Sequence, residues 1–429
     1  MRILMLSEFY RPLLGGTERL VADLSQELSA RGHTVAIATL AHPDAPAQEG
    51  ENGVVIYRLA GLAQKSGLFF RDPQRRFTPP MPDPFLMRAL DRLIAEWQPE
   101  IIHAHGWIVY SYLPLKRRRP IPLIVTLHDY GNFCPRRDLL HNGATLCTGP
   151  GPRKCFSCEA RNVGPAKALV LSGGLTIGRR WHKSVDRFLA ISHFVADQAD
   201  GRVAPRNAIP IIPSFIADRV LHYQPPAARS PLLPEGDYLL YVGALGSHKG
   251  LDTLLEAYAG LSEAPPLLLI GSRLGTPPWG KGAPPSSLRV IHDAPHDLVL
   301  EAWAHCRIAV VPSRWAEPLG LVALEALAFG KPLVASRVGG LTDIVEDGHT
   351  GLLVPPGVPR ALRAALATLL ADPARGARLG AAGRQLVRER FTATAVVPQI
   401  EEQYAALLGS TKPARVFGSP VTVRDRNAS

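Results

Sequence analysis

Residues 308–357, IAVVPSRWAEPLGLVALEALAFGKPLVASRVGGLTDIVEDGHTGLLVPPG, constrain this chain more tightly than any other stretch. The apolar run 308–311 has the length of a strand. A polar loop then carries Glu317 and Pro318 into a helix that opens near Leu319 and stops at Gly330, where a capping glycine is expected. A second apolar run follows at 333–335. Strand, helix and strand in that order build a parallel sheet with the helix on its face. The same alternation fills the chain. Strands read at 2–6, 35–39, 54–58, 101–103, 123–127 and 188–191, and a helix reads at 84–97. After a proline-rich stretch at 205–234, a second series of strands reads at 238–242, 267–270, 290, 308–311, 333–335 and 351–354. Helices fit between them at 250–261, 297–305, 320–329 and 360–370. Two such series of roughly 200 residues each predict an α/β protein of two Rossmann-like, doubly wound domains facing one another across a cleft.

Ligands of such sheets lie beyond the carboxyl ends of the strands. The helix that follows 308–311 offers free backbone N–H groups and the positive end of its dipole there, which suits phosphate. Glu317 precedes that helix and Glu325 lies about a turn and a half inside it. Carboxylates repel phosphate, so these two are expected to accept hydrogen bonds from hydroxyl groups on either side of it. A ligand with hydroxyls, a diphosphate and more hydroxyls is a nucleotide sugar. At the other end of the chain, Gly15 and Gly16 turn the first strand into an amphipathic helix carrying Leu20, Val21, Leu24 and Leu28. A glycine turn lets backbone come close to the donor phosphate or the reacting sugar.

Composition narrows the partners. The chain has 429 residues, 46% hydrophobic and 20% charged, as ordinary globular proteins do, with a net charge of +11. No apolar run approaches the ~18 residues of a membrane span, and the short first strand is no signal peptide. The expected location is cytoplasmic, with or without peripheral attachment to the inner face of a membrane. Basic residues concentrate in the first half, among them Lys116, Arg119, Arg136, Arg137, Arg179 and Arg180. A solvated basic face and an anionic membrane surface both fit that pattern. Nucleic acid does not, since no helix-turn-helix, zinc-finger or RNA-binding signature accompanies the charge. Residues 163–187 join aliphatic positions to GRRWHK, a segment suited either to a membrane surface or to covering a sheet.

On these residues the chain resembles the GT-B glycosyltransferases, in particular the large retaining family four that uses nucleotide sugars. The resemblance covers about residues 1–408 and is carried by EPLGLVALEALAFGKP with its Glu317/Glu325 pair, VGGLTDIVEDGHTGLLVPPG, LSEFYRPLLGGTERLV and YVGALGSHKG. It implies that Glu317 contacts the donor sugar, Glu325 holds the ribose, and the amides of Gly320 and Leu321 grip the diphosphate. Lys249 would neutralise the departing diphosphate, and His128, in TLHDY, would contact the sugar near the reacting centre. His103 and His105 are weaker candidates at a neighbouring strand end. Where the family usually has an arginine beside Lys249, this chain has Ala244, with Arg314, Arg273 or His248 as candidates to compensate. The implied layout is a Rossmann-like acceptor-side domain over 1–205 and a nucleotide-sugar domain over 206–391. A helix over 392–410 crosses back, and 411–429 form a disordered tail. The implied reaction moves a sugar, with retention, from a UDP- or GDP-sugar to a lipid-linked or saccharide acceptor in envelope, exopolysaccharide or glycolipid synthesis. It needs no catalytic metal. Non-catalytic binding of sugar nucleotide is the rival that Ala244 supports.

Cys134, Cys147, Cys155 and Cys158 fall within an insertion at about 130–160, spaced C-x12-C-x7-C-x2-C. In a reducing compartment that spacing suits structural zinc, with an iron–sulfur cluster and unligated thiols as the alternatives. Cys306 reads as a core residue.

Overall fold

Ile3, Leu4, Met5 and Leu6 are all fully buried because β1 (Arg2–Ser7) runs through the middle of a sheet covered on both faces. The computed structural model describes residues 1–13, 15–66, 76–272 and 288–410. The predicted tail at 411–429 and Arg273 lie outside the described residues. After β1 the first half continues with β2 (Thr34–Leu40), β3 (Gln48–Glu51), β4 (Val54–Leu59), β5 (Ile101–His105) and β6 (Leu123–Leu127). A small hairpin, β7 (Leu140–His141) with β8 (Thr145–Leu146), interrupts the series before β9 (Arg187–Ala190). Spatially the sheet runs β3-β4-β2-β1-β5-β6-β9, parallel except for β3 at one edge.

The second half holds β10 (Leu239–Val242), β11 (Leu267–Gly271), β12 (Leu288–His292), β13 (Ile308–Val311), β14 (Leu333–Ser336) and β15 (Leu352–Val354). These form an all-parallel sheet ordered β12-β11-β10-β13-β14-β15. In each sheet the strand order reverses at one place, between β1 and β5 in the first and between β10 and β13 in the second. A crevice opens beyond the strand ends at such a reversal. This pair of sheets is the two-domain α/β architecture expected from the sequence.

The last described helix, Ala393–Ser410, returns to the first sheet. Val396, Val397, Ile400 and Tyr404 join one apolar cluster with Ile3, Met5, Leu20 and Leu24. Several elements escaped the sequence reading, among them helices Pro152–Val163 and His193–Ala199, strand β3, the β7–β8 hairpin and helix Pro373–Arg390. β3 is polar and only half paired, and the β7–β8 hairpin has two residues per strand, so neither shows a hydrophobic period. The helix Pro373–Arg390 buries chiefly small residues, Gly376, Gly380 and Gly383, alongside Leu379 and Val387. A Cβ at Gly380 would stand 2.0 Å from the carbonyl oxygen of Gly330, so this helix packs by close backbone approach rather than by an apolar stripe.

The 163–187 segment resolves into helix Pro165–Gly178 and a 3-10 turn at Arg179–Ser184. Ala168, Leu171 and Leu175 pack inward, while Leu169 on the same helix stays exposed. Among the described residues no helix is long and apolar enough to cross a membrane.

Candidate active site in the interdomain cleft

Both strand-order reversals open onto one cleft. From the first domain come the loop after β1 and the start of helix Gly16–Ala30. From the second come the loops after β10 and β13. The main cavity between them has a volume of about 350 Å³, and Gly15, Gly16, Arg19, Gly243, Ala244 and Glu325 are among the residues lining it.

Local sequence explains how each part reaches its place. Gly15 opens helix Gly16–Ala30, and its N–H donates to Glu18 Oε2 at 2.8 Å. A Cβ on Gly16 would lie 3.2 Å from Leu321 Cδ1 of the opposite domain, which shows how closely the two helix starts face each other. Gly320 caps helix Leu321–Ala328 at φ +107°, where an added Cβ would strike Leu341 Cδ2 at 2.6 Å. Only glycine turns the chain so sharply from the Glu317 loop into the helix. Gly250 plays a similar part for Lys249. At φ +74° it passes so close to β13's following loop that a Cβ would sit 1.8 Å from the oxygen of Pro312.

Glu317 is 6% exposed. Lys249 Nζ donates to its Oε1 at 2.7 Å and the Ser313 hydroxyl donates to the same oxygen at 2.5 Å. Burial by itself would raise the Glu317 carboxyl, but the Lys249 ammonium and these hydrogen bonds hold it below its ordinary value. Lys249 also lies 4.8 Å from the ring centroid of Trp315. Glu325 is 7% exposed and accepts from Trp303 Nε1 at 3.2 Å. Its Oε1 lies 2.9 Å from His296 Nε2 and 3.5 Å from Arg19 across the cleft. Sequence reasoning missed Arg19 and His296. Arg19's one local signal was its place in the first turn of the glycine-led helix, and it lines the cavity together with Ala244. Arg314 is not brought to this cavity. Its guanidinium pairs with Asp252 at 2.9 Å on the exposed surface.

On the first-domain side, a smaller pocket collects Glu8, His105, Trp107, His128, Asp129 and Arg137. Arg137 bridges two carboxylates, donating to Glu8 Oε2 and to Asp129 Oδ2 at 2.8 Å each. Its own backbone sits at φ +65°, an uncommon conformation for a side-chain-bearing residue and one that clusters at functional sites. Glu8 is 3% exposed and its Oε1 is buried without a hydrogen-bond partner. Burial raises its carboxyl despite Arg137. His128 Nε2 lies 2.8 Å from His105 Nδ1, so these two rings share one proton between them. Burial pushes His128 down to about 4 and holds His105 well below the usual imidazole range. His103, beside them, is hydrogen-bonded to Thr126 Oγ1 and to the Tyr404 hydroxyl, both at 2.7 Å. Burial lowers it to about 3. All three imidazoles are therefore neutral at pH 7. Tyr130 then ties the domains together, its hydroxyl donating to the Ala316 carbonyl at 2.8 Å.

The cysteines do not assemble as expected. All are free thiols, and among the described residues no three His, Cys, Asp or Glu side chains are placed to hold a metal ion. Cys134 is buried in the turn it makes with residues 136–139, and burial pushes its thiol up to about 12. Cys147, Cys155 and Cys158 are closer to one another: burial raises the Cys155 thiol, and both of the others raise it further. The Cys155 and Cys158 sulfurs accept instead from the amides of Gly151 and Asn142. The donor set found here does not fit a preformed four-thiolate zinc site.

Comparison with known proteins now bears on this geometry. Residues 227–386 match the family described as glycosyl transferases group 1, and residues 14–219 match glycosyltransferase family 4. A D-inositol 3-phosphate glycosyltransferase of Kineococcus radiotolerans is 30% identical over 421 residues, covering 89% of each chain. The chain belongs to the group 1, family 4 glycosyltransferases. Among solved structures, a sucrose-phosphate synthase from Thermosynechococcus elongatus superposes with a TM-score of 0.72 at 24% identity, over 96% of this chain and 100% of that one. The Anabaena protein HepE, solved in complex with UDP-glucose, gives 0.69 at 16% identity, over 95% and 100%. These likenesses establish the GT-B fold. As a glycosyltransferase the chain is an enzyme, and its cleft is the place to look for its chemistry.

Proposed function

We propose that this glycosyltransferase moves a sugar from a UDP- or GDP-sugar to an acceptor hydroxyl with retention of anomeric configuration, in the synthesis of an envelope polysaccharide or glycolipid. One arrangement carries the reading. The free N-terminus of helix Leu321–Ala328 lies between the Glu317–Lys249 pair and Glu325, and the glycine-led start of helix Gly16–Ala30 faces it across the cavity. A diphosphate at the amides of Gly320 and Leu321 leaves hydroxyl groups of sugar and ribose toward Glu317 and Glu325. The UDP-glucose bound by HepE is a donor of this chemical form.

In the reaction the bond from the anomeric carbon to the diphosphate breaks while the acceptor oxygen forms its bond on the same face. The acceptor proton passes to the departing diphosphate oxygen. Lys249 would leave its ion pair for that developing charge, and with the helix N-terminus would stabilise it without a divalent metal. His128, neutral at pH 7, would orient the sugar through a hydrogen bond. Arg19 stands in the cavity beside Ala244 and can supply the second positive charge that the alanine lacks.

Assay of donor hydrolysis over a panel of UDP- and GDP-sugars tests the reading. One or more donors should release nucleoside diphosphate, and Glu317→Ala should reduce that release at least a hundredfold. Binding of UDP or GDP without release from any donor, unaffected by Glu317→Ala, would leave the non-catalytic sugar-nucleotide-binding reading in its place.

A further inference from the structure

The smaller pocket of the first domain, about 40 Å³ in volume, is lined by two residues that each carry a buried polar atom without a hydrogen-bond partner. The atoms are Glu8 Oε1 and His105 Nε2, on side chains of residues 3% and 2% exposed. Burying such a group unpaired is costly, so two of them around one chamber call for a common partner. A water needs about 10–15 Å³ and at least two polar neighbours, and this pocket offers both.

What stands beside His105 Nε2 also governs His128. His105 Nδ1 lies 2.8 Å from His128 Nε2. Both rings are neutral at pH 7, so each has one N–H and one lone pair. If His128 donates from Nε2, His105 accepts at Nδ1 and must carry its own proton on Nε2. If His105 donates from Nδ1, His128 must carry its own proton on Nδ1. The two rings therefore always adopt the same tautomer. An acceptor beside His105 Nε2 leaves a lone pair on His128 Nδ1, and a donor there leaves an N–H. His103 takes no part, since both of its ring nitrogens are held by Tyr404 and Thr126.

Charge in the pocket selects between the two. Arg137 donates to Glu8 Oε2 at 2.8 Å, which leaves Oε1 as the free acceptor. Asp129 takes another edge of the same guanidinium, and Glu18 lines the pocket as well. Carboxylates thus outnumber the cation, and a negative surrounding favours an imidazole N–H pointing into it. A donor reaching Oε1 in turn favours the ionised form of Glu8 that burial opposes.

We propose that Glu8 is a positioning residue for His128. Through a water in the chamber it accepts from His105 Nε2–H, which makes His128 carry its proton on Nε2 and leaves His128 Nδ1 as a hydrogen-bond acceptor for a hydroxyl of the donor sugar. That the hydroxyl belongs to the sugar rests on the function proposed above; the arrangement of protons does not.

Long-range proton–nitrogen correlation spectra of the full-length protein, labelled with nitrogen-15 histidine and recorded at pH 7 without substrate, test the proposal. They read which nitrogen of each ring is protonated, and the signals lost in His128→Gln and in His105→Gln assign the two rings. The wild type should show both rings protonated at Nε2 and bare at Nδ1. Glu8→Gln keeps the shape of the side chain, but with its carbonyl turned to Arg137 it presents an amide NH2 group where Oε1 stood. Both rings should then exchange their protonated and bare nitrogens, which a merely structural role for Glu8 would not bring about. Protonation of His128 at Nδ1 in the wild type overturns the proposal, whatever the variant's folding. So does a Glu8→Gln protein that melts like the wild type and keeps the wild-type nitrogen pattern. The spectra need no donor, and donor hydrolysis is measured separately, so a failed donor reading and a failed relay stay distinguishable.

Discussion

Arg137 shows most plainly how one residue organises the smaller pocket of the first domain. It holds together two carboxylates, Glu8 and Asp129, and the first of these is almost wholly buried. Arg137→Met would leave them facing each other without compensation, at a cost of about 2–4 kcal/mol, reduced because the guanidinium is itself one-third exposed. Burial already raises Glu8, so the variant carboxyl should take up a proton readily and the loss should shrink on going from pH 7.5 to pH 5. Urea denaturation at the two pH values checks this. Lys249 makes a different prediction. Lys249→Ala should lower kcat by about 10²–10³-fold with little change in KM, since in the proposed reaction its charge acts on the leaving group; steady-state kinetics with any active donor tests it. Lys249, Glu317 and Glu325 were legible in the sequence because each lies within a continuous motif. Arg19 and Glu8 were not, because their partners are 306 and 129 residues away.

At the scale of elements, helix Leu321–Ala328 depends on the turn before it. Gly320→Ala forces a side chain into φ +107° and against Leu341, for a loss of about 1–3 kcal/mol. It should also weaken UDP or GDP binding by tilting the amides at which the diphosphate is proposed to sit. Thermal unfolding and calorimetry measure the two effects. The final helix, Ala393–Ser410, is held to the first domain by apolar packing, by the buried hydrogen bond between Tyr404 and His103, and by pairs of Glu401 with His33 and Arg31 and of Gln403 with Arg187. Tyr404→Phe should cost about 1 kcal/mol in unfolding free energy, because His103 Nδ1 is then left without that partner. Elements with a clear period were readable from sequence. The polar edge strand β3 and the glycine-packed helix Pro373–Arg390 were not, since their contacts are backbone contacts that leave no apolar stripe.

The whole molecule carries a cluster of buried neutral imidazoles under its cleft. His103 and His128 titrate near pH 3 and 4 in the fold against an ordinary 6.5. The unfolded chain therefore binds more protons below pH 6.5, and folding stability should fall as pH drops from about 6.5 toward 4. Denaturant midpoints at pH 7, 6 and 5 should decline in that order, and His103→Gln should flatten the decline. Local pattern set the two β/α series, the glycine-capped helix start and the glutamates on either side of it. Period, capping and turn chemistry are local, and they act within a few residues. Packing across the cleft brought Arg19 to face Glu325 and Arg137 to bridge Glu8 and Asp129. Such meetings follow from how two sheets and their loops pack across a cleft, and hydrophobic pattern specifies which face is buried without specifying which polar groups will meet there.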